Sequence, residues 1–132
     1  MKKQIKGGED VQLLVRTFYA KVLADEQLSH FFTFVANDHW DKHLETLDLF
    51  WNNVLFYSGG YEGNPLKTHE KIHQSQSLQH KDFEHWLQLF NQTVDELFEG
   101  EKADLAKQRA FSIATVMQLK ILPKNEEEEL IL

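Results

Sequence analysis

Seven histidines and no cysteine set the chemistry open to this 132-residue chain. Without a thiol there is no disulfide framework, no thiolate nucleophile and no cysteine-held zinc or iron–sulfur centre. Imidazole remains, and two pairs stand four residues apart: His39 with His43, and His69 with His73. On a helix that spacing presents two nitrogens to one metal ion. Further carboxylate or histidine ligands must complete such a set, and no His-Glu-x-x-His motif is present. Seven histidines in a chain of this size make such pairs common by chance, so the pairs alone do not define a metal centre.

Three further residues carry a polar tip on an apolar body. Tyr19, His43 and Trp86 each fall in line with an apolar helical stripe. A buried phenol or indole N–H wants an acceptor, and leucine would fill a purely packed core at lower cost. Any one of them reads most simply as an ordinary core-boundary residue. Three of them on three different segments point toward a lined cavity. No glycine-rich phosphate loop follows a strand, and Ser58 and Ser112 lack the surroundings of a nucleophile.

The elements that must position these groups are helices. Val11, Leu14, Val15, Phe18 and Val22, with Tyr19 beside them, recur at spacings of three and four and predict a first helix. Asp25 is placed to cap a short helix running from Glu26 to about Phe32. Asn37 and Asp38 are placed to open the next, along which His43, Leu47, Phe50, Trp51 and Val54 share a face. Gly59, Gly60, Gly63 and Pro65 force a loop, and residues 66–80 are polar with only a turn or two of helix expected around His69. Phe83, Trp86, Leu87, Phe90, Val94, Leu97 and Phe98 give the strongest periodicity, closed by Gly100. Ala106, Ala110, Ile113, Ala114, Met117 and Ile121 define a last helix that Pro123 stops. No strand-like alternation or internal repeat is evident, so the expected architecture is all-α, five or six helices in one domain spanning residues 1–132. Residues 123–132, with the run Glu126 to Glu129, read as a mobile acidic tail.

The bulk properties exclude whole classes. A net charge of −7 would repel a phosphate backbone, which argues against nucleic acid as a partner. Charges interrupt every apolar stretch and the basic N-terminus lacks an apolar segment, so no membrane span or signal peptide is expected. The reading is of a soluble, cytoplasmic protein, a monomer or weak dimer.

Several pieces together resemble a known family. The run from Phe18 to Asp25, closing on Leu28 and Phe31-Phe32, is similar to the second and third helices of truncated haemoglobins. Tyr61-Glu62-Gly63-Asn64-Pro65-Leu66-Lys67-Thr68-His69 resembles that family's approach to its proximal histidine. His43 with Phe50-Trp51, and Phe83 to Phe90 with Trp86, are similar to the group III subfamily. The resemblance spans roughly residues 9 to 118 and implies a truncated globin fold around one haem b. By that likeness His69 is the proximal iron ligand, Tyr19 and Trp86 are distal hydrogen-bond donors, and His43 stands at the distal gate. Phe32 would pack on the porphyrin and Leu47 over the iron. His73, Tyr61 and Lys67 remain alternatives for the propionates, and His73 also stands as the rival iron ligand.

The residue chemistry agrees with this implication. A neutral imidazole is a good axial ligand, and a single histidine leaves the sixth position to a gas. Phe18, Phe32, Leu47, Phe50, Trp51, Phe90 and Met117 would form an apolar wall that excludes water. The resulting expectation is a pentacoordinate haem protein that ligates oxygen, nitric oxide, carbon monoxide or cyanide, and a ligand binder more than a catalyst. The alternatives are a peroxidase-like or nitric-oxide-detoxifying enzyme served by a separate reductase, since no flavin or nicotinamide motif is present, and a haem-free globin-fold interaction domain.

Overall fold

In the computed structural model, residues 2–32, 40–57 and 78–121 are described. Among them are four α-helices: α1 (Gly8–Ala24), α2 (Trp40–Phe56), α3 (His80–Leu97) and α4 (Glu101–Ile121). A single 3-10 turn, Ser29–Phe32, follows α1. No described helix is long and apolar enough to cross a membrane.

α1, α3 and α4 bury much of the stripe their spacing announces, whereas α2 buries Asp48, Trp51 and Leu55 and leaves His43, Leu47, Phe50 and Val54 half-buried. α1 buries Val11, Leu14, Val15, Phe18, Tyr19 and Val22. α3 buries Phe83, Phe90 and Val94, and a reciprocal capping box between Gln79 and Asp82 fixes its first turn. Along α4 the alanines 103, 106, 110 and 114 are almost fully buried. Residues this small let α3 and α4 approach closely, and these two helices pack on each other more extensively than any other pair. α1 lies against both α2 and α3, so the core forms where Phe18, Trp51 and Phe90 meet. Fully burying a phenylalanine such as Phe18 or Phe90 contributes about 1.5–3 kcal/mol before entropy is counted.

Polar ties fix how the helices are set. Arg16 Nη1 lies 2.9 Å from both carboxylate oxygens of the buried Asp48, joining α1 to α2. Lys102 Nζ donates to the Leu55 carbonyl at 2.7 Å and sits 5.3 Å over the Phe56 ring, so α4 caps the C-terminal end of α2.

The structure departs from the periodicity in three places. The helix expected from Glu26 to about Phe32 is shorter, a 3-10 turn over Ser29–Phe32, although Asp25 caps the segment as expected, its Oδ1 accepting from the Gln27 and Leu28 N–H groups. Gly100 does not close α3. That helix ends at Leu97, capped by the extended Phe98, and Gly100 at φ +103° carries the carbonyl that opens α4 by accepting from Asp104 N–H at 3.0 Å. The N-terminal residues are also part of the fold. Ile5 is buried, Glu99 N–H donates to the Lys3 carbonyl at 3.0 Å, and Lys3 pairs with the buried Asp10 at 2.6 Å. The openings expected at Asn37 and Asp38, the loop after Ser58, the stop at Pro123 and the acidic tail lie outside the described residues.

Candidate functional site

Tyr19 is the centre of the site. It sits on the buried stripe of α1, one residue after Phe18, and three rings meet it edge-on. Phe18 lies at 5.0 Å between centroids, Phe32 at 5.7 Å and His43 at 5.9 Å, with interplanar angles of 73°, 83° and 86°. These are separations and tilts at which aromatic rings attract, worth roughly 0.5–1.5 kcal/mol per pair beyond area burial. The turn after α1 delivers Phe32, and the first two turns of α2 deliver His43.

Trp86 reaches the same cluster from α3. Phe18 separates it from Tyr19, touching Trp86 at 5.6 Å and 82°. Behind it Trp86 stacks on Phe90 at 5.8 Å and 14°, and Phe90 stacks on Trp51 at 4.8 Å and 19°. The site therefore has a polar edge of Tyr19, His43 and Trp86 backed by a continuous wall of rings. Leu47 and Phe50 pack on this wall from α2, and Met117 is buried in the same core from α4.

Electrostatics keep the polar edge neutral. Burial alone pushes the Tyr19 phenol far above its ordinary value, so it holds its proton and stays a donor. Burial lowers the pKa of His43, which favours the neutral imidazole. Its Nε2 is buried and has no hydrogen-bond partner among the described residues. Leaving such a nitrogen unpaired costs about 1–3 kcal/mol, which native folds rarely accept without a ligand or function to explain it.

Of the residues singled out in the sequence, Tyr19, Phe32, His43 and Trp86 come together in one cluster, with Leu47 at its flank. His69, His73 and Tyr61, together with Lys67 and His39, lie outside the described residues. Among the described residues no group of three or more His, Asp or Glu is disposed to hold a metal ion. Sequence reasoning overlooked Trp40, which meets His43 at 5.3 Å and Phe32 at 6.5 Å. Its spacing of three from His43 was the available signal. It also overlooked the pairing of His85 with Asp25, which no local spacing could reveal because sixty residues separate them.

The described side of the site fits a flat apolar cofactor carrying a small polar ligand. Rings form the wall, and Tyr19, His43 and Trp86 bring two neutral donors and a buried nitrogen that has no partner among the described residues.

Comparison with known proteins gives a consistent picture. A family model for bacterial-like globins matches residues 3–120. A group 3 truncated hemoglobin of Campylobacter jejuni is 30% identical over 121 residues, covering 89% of this chain and 93% of that protein. The crystal structure of a group III truncated hemoglobin from Campylobacter jejuni superposes with a TM-score of 0.82 at 29% identity, over 92% of this chain and 95% of the other. The structure of Chlamydomonas reinhardtii THB1 superposes at 0.66 with 26% identity, over 84% and 89% of the two chains.

Proposed function

Because the chain belongs to the bacterial-like globin family, as a truncated haemoglobin of group III, we propose that it binds one haem b and reversibly ligates a small diatomic molecule at the iron. The observation that carries this reading is the neutral Tyr19 phenol beside the unpaired His43 nitrogen, set against an apolar wall. His69 is the residue that would ligate the iron, and Tyr61 and His73 would face the propionates. When bound, the haem supplies an iron with one position open to oxygen, nitric oxide, carbon monoxide or cyanide.

The chain's own residues do the rest. Tyr19 and Trp86 offer O–H and N–H donors to a ligand that draws electron density toward itself. Phe32 would pack on the porphyrin and Leu47 over the iron, while Phe18, edge-on to Phe90, and Trp51, stacked on Phe90, form an apolar wall that would exclude water. His43, neutral and unpaired, stands at the edge through which a ligand would pass. Two donors favour slow release, which suits sensing, scavenging or redox chemistry better than transport. Electrons to reset the iron would come from a separate reductase. A cytoplasmic setting fits the absence of cysteine.

Absorption spectra of the purified protein in ferric, ferrous and carbon-monoxide forms test the reading, with haem added if the protein emerges colourless. A one-to-one complex with a histidine-ligated signature, lost in His69→Ala, is expected. Absence of stoichiometric haem binding would overturn it and leave a globin fold whose surface is its function.

A further inference from the structure

The turn that closes α1 is fastened to α3 more firmly than a surface turn requires. Asp25 Oδ1 accepts from the Gln27 and Leu28 N–H groups at 2.9 and 3.0 Å, while its Oδ2 lies 2.5 Å from His85 Nε2. Gln27 Nε2 adds bonds to Asp82 Oδ1 at 3.0 Å and to the Lys81 carbonyl at 3.2 Å. Asp82 and His85 stand three apart on α3 and so share one side of it. Burial works to raise the pKa of Asp25, but the His85 bond and the two backbone donors outweigh it and lower the pKa, so Asp25 is an anion accepting on both oxygens.

The two helices joined here are those that carry the pocket's two donors. Asp25 lies six residues after Tyr19 on the α1 strand of chain, and His85 directly precedes Trp86. Only Phe18 separates the Tyr19 and Trp86 rings, at 5.0 and 5.6 Å. Besides the packing of Phe18 on Trp86 and Phe90, a further polar tie between α1 and α3, Lys21 to Glu96 at 2.6 Å, joins exposed or half-exposed groups farther along α3. A solvated pair of that kind contributes little to holding a geometry.

We propose that His85, through Asp25, is a positioning residue of the ligand pocket: the contact fixes the spacing of Tyr19 and Trp86 and so sets how well both donors reach one ligand. The inference rests on the haem reading for its functional consequence, but the positioning itself does not need haem.

The test compares His85→Leu, which leaves the Asp25 bonds to Gln27 and Leu28 in place, with His85→Gln, which restores an N–H donor of similar reach. In the haem-loaded ferrous protein His85→Leu should release oxygen roughly threefold to tenfold faster, the scale of one loosened hydrogen bond, and His85→Gln should recover most of the loss. The same substitution made in a Tyr19→Phe/Trp86→Phe background should have no further effect on release, because the donors through which it acts are gone. In protein without haem, the Trp86 indole resonance and the Tyr19 ring resonances should move in His85→Leu and return in His85→Gln. Lower thermal stability with unchanged release and unmoved resonances would reduce the contact to a structural cap and overturn the proposal. If the chain takes up no haem, the haem reading fails on its own, and the resonances alone decide whether His85 positions the two rings.

Discussion

Burial moves the pKa of Tyr19 up and that of His43 down, yet in both cases it favours the neutral group. A neutral phenol is a donor, whereas a neutral imidazole is a donor at one nitrogen and an acceptor at the other. Replacing Tyr19 or Trp86 by Phe removes a donor while keeping the ring. Each change should leave haem uptake intact and speed ligand release by about one to two decades, corresponding to roughly 1–3 kcal/mol, read by stopped-flow dissociation. Unaltered release in both would remove the donor role. His43 carries a pH signature. Its folded pKa lies below the unfolded value of 6.5, so between these two values the unfolded chain binds the extra proton. Stability should therefore fall as pH drops below about 6.5 and level off below the folded pKa. Denaturant titrations of the parent and His43→Phe across pH 5 to 8, an interval of about three units around the ordinary histidine range, should show the parent losing stability relative to the variant toward acid, because only the parent carries that proton penalty.

At the scale of elements, the joint between α3 and α4 shows how a local rule is redirected by its neighbours. A glycine after an apolar stripe ordinarily closes the helix in front of it. Here Phe98 is almost fully buried and extended and pairs with the N-terminal segment at Lys3, so α3 stops earlier. Gly100 is needed for a different reason: its φ of +103° is costly for any other residue, and a Cβ there would come within 3.1 Å of the Gln4 side chain. Gly100→Ala should destabilise the fold by about 1–2 kcal/mol, measured by chemical denaturation, with the loss falling on the α3–α4 joint and the N-terminal segment. A neutral outcome would mean that the joint relaxes freely. Asp25 does more than its local pattern announces: it caps the turn that follows, as an N-cap residue does, and also stands at the end of α1 and anchors it to α3.

The whole molecule is four described helices around one aromatic core, and a group bound at the site would add to its stability. A ligand that binds the folded chain alone stabilises it by mass action, about 2.7 kcal/mol at a hundredfold excess over its Kd. For a chain of this size that corresponds to a melting temperature higher by roughly 10 °C when haem is bound. Scanning calorimetry with and without haem checks this, and an unchanged transition would argue for a core already complete without the cofactor.

Much of this protein was determined by local pattern. The stripes of α1, α3 and α4 follow from apolar spacing alone, since a helix with one apolar face has few other ways to bury it. The choice of Tyr19, His43 and Trp86 also came from local pattern, because a polar tip on an apolar face is visible in a single helix. What the tertiary structure decided is which of these faces meet. It set Tyr19 against His43 and Phe32, placed Phe18 between Tyr19 and Trp86, added Trp40 to the cluster, and drew Asp25 to His85 across sixty residues. It also recruited Lys3, Ile5 and Asp10 into the fold from a segment whose sequence looks only basic and polar. The physical reason is range: helical periodicity is written by neighbours three and four residues apart, whereas the packing of one helix on another depends on side chains that meet only after the chain has folded.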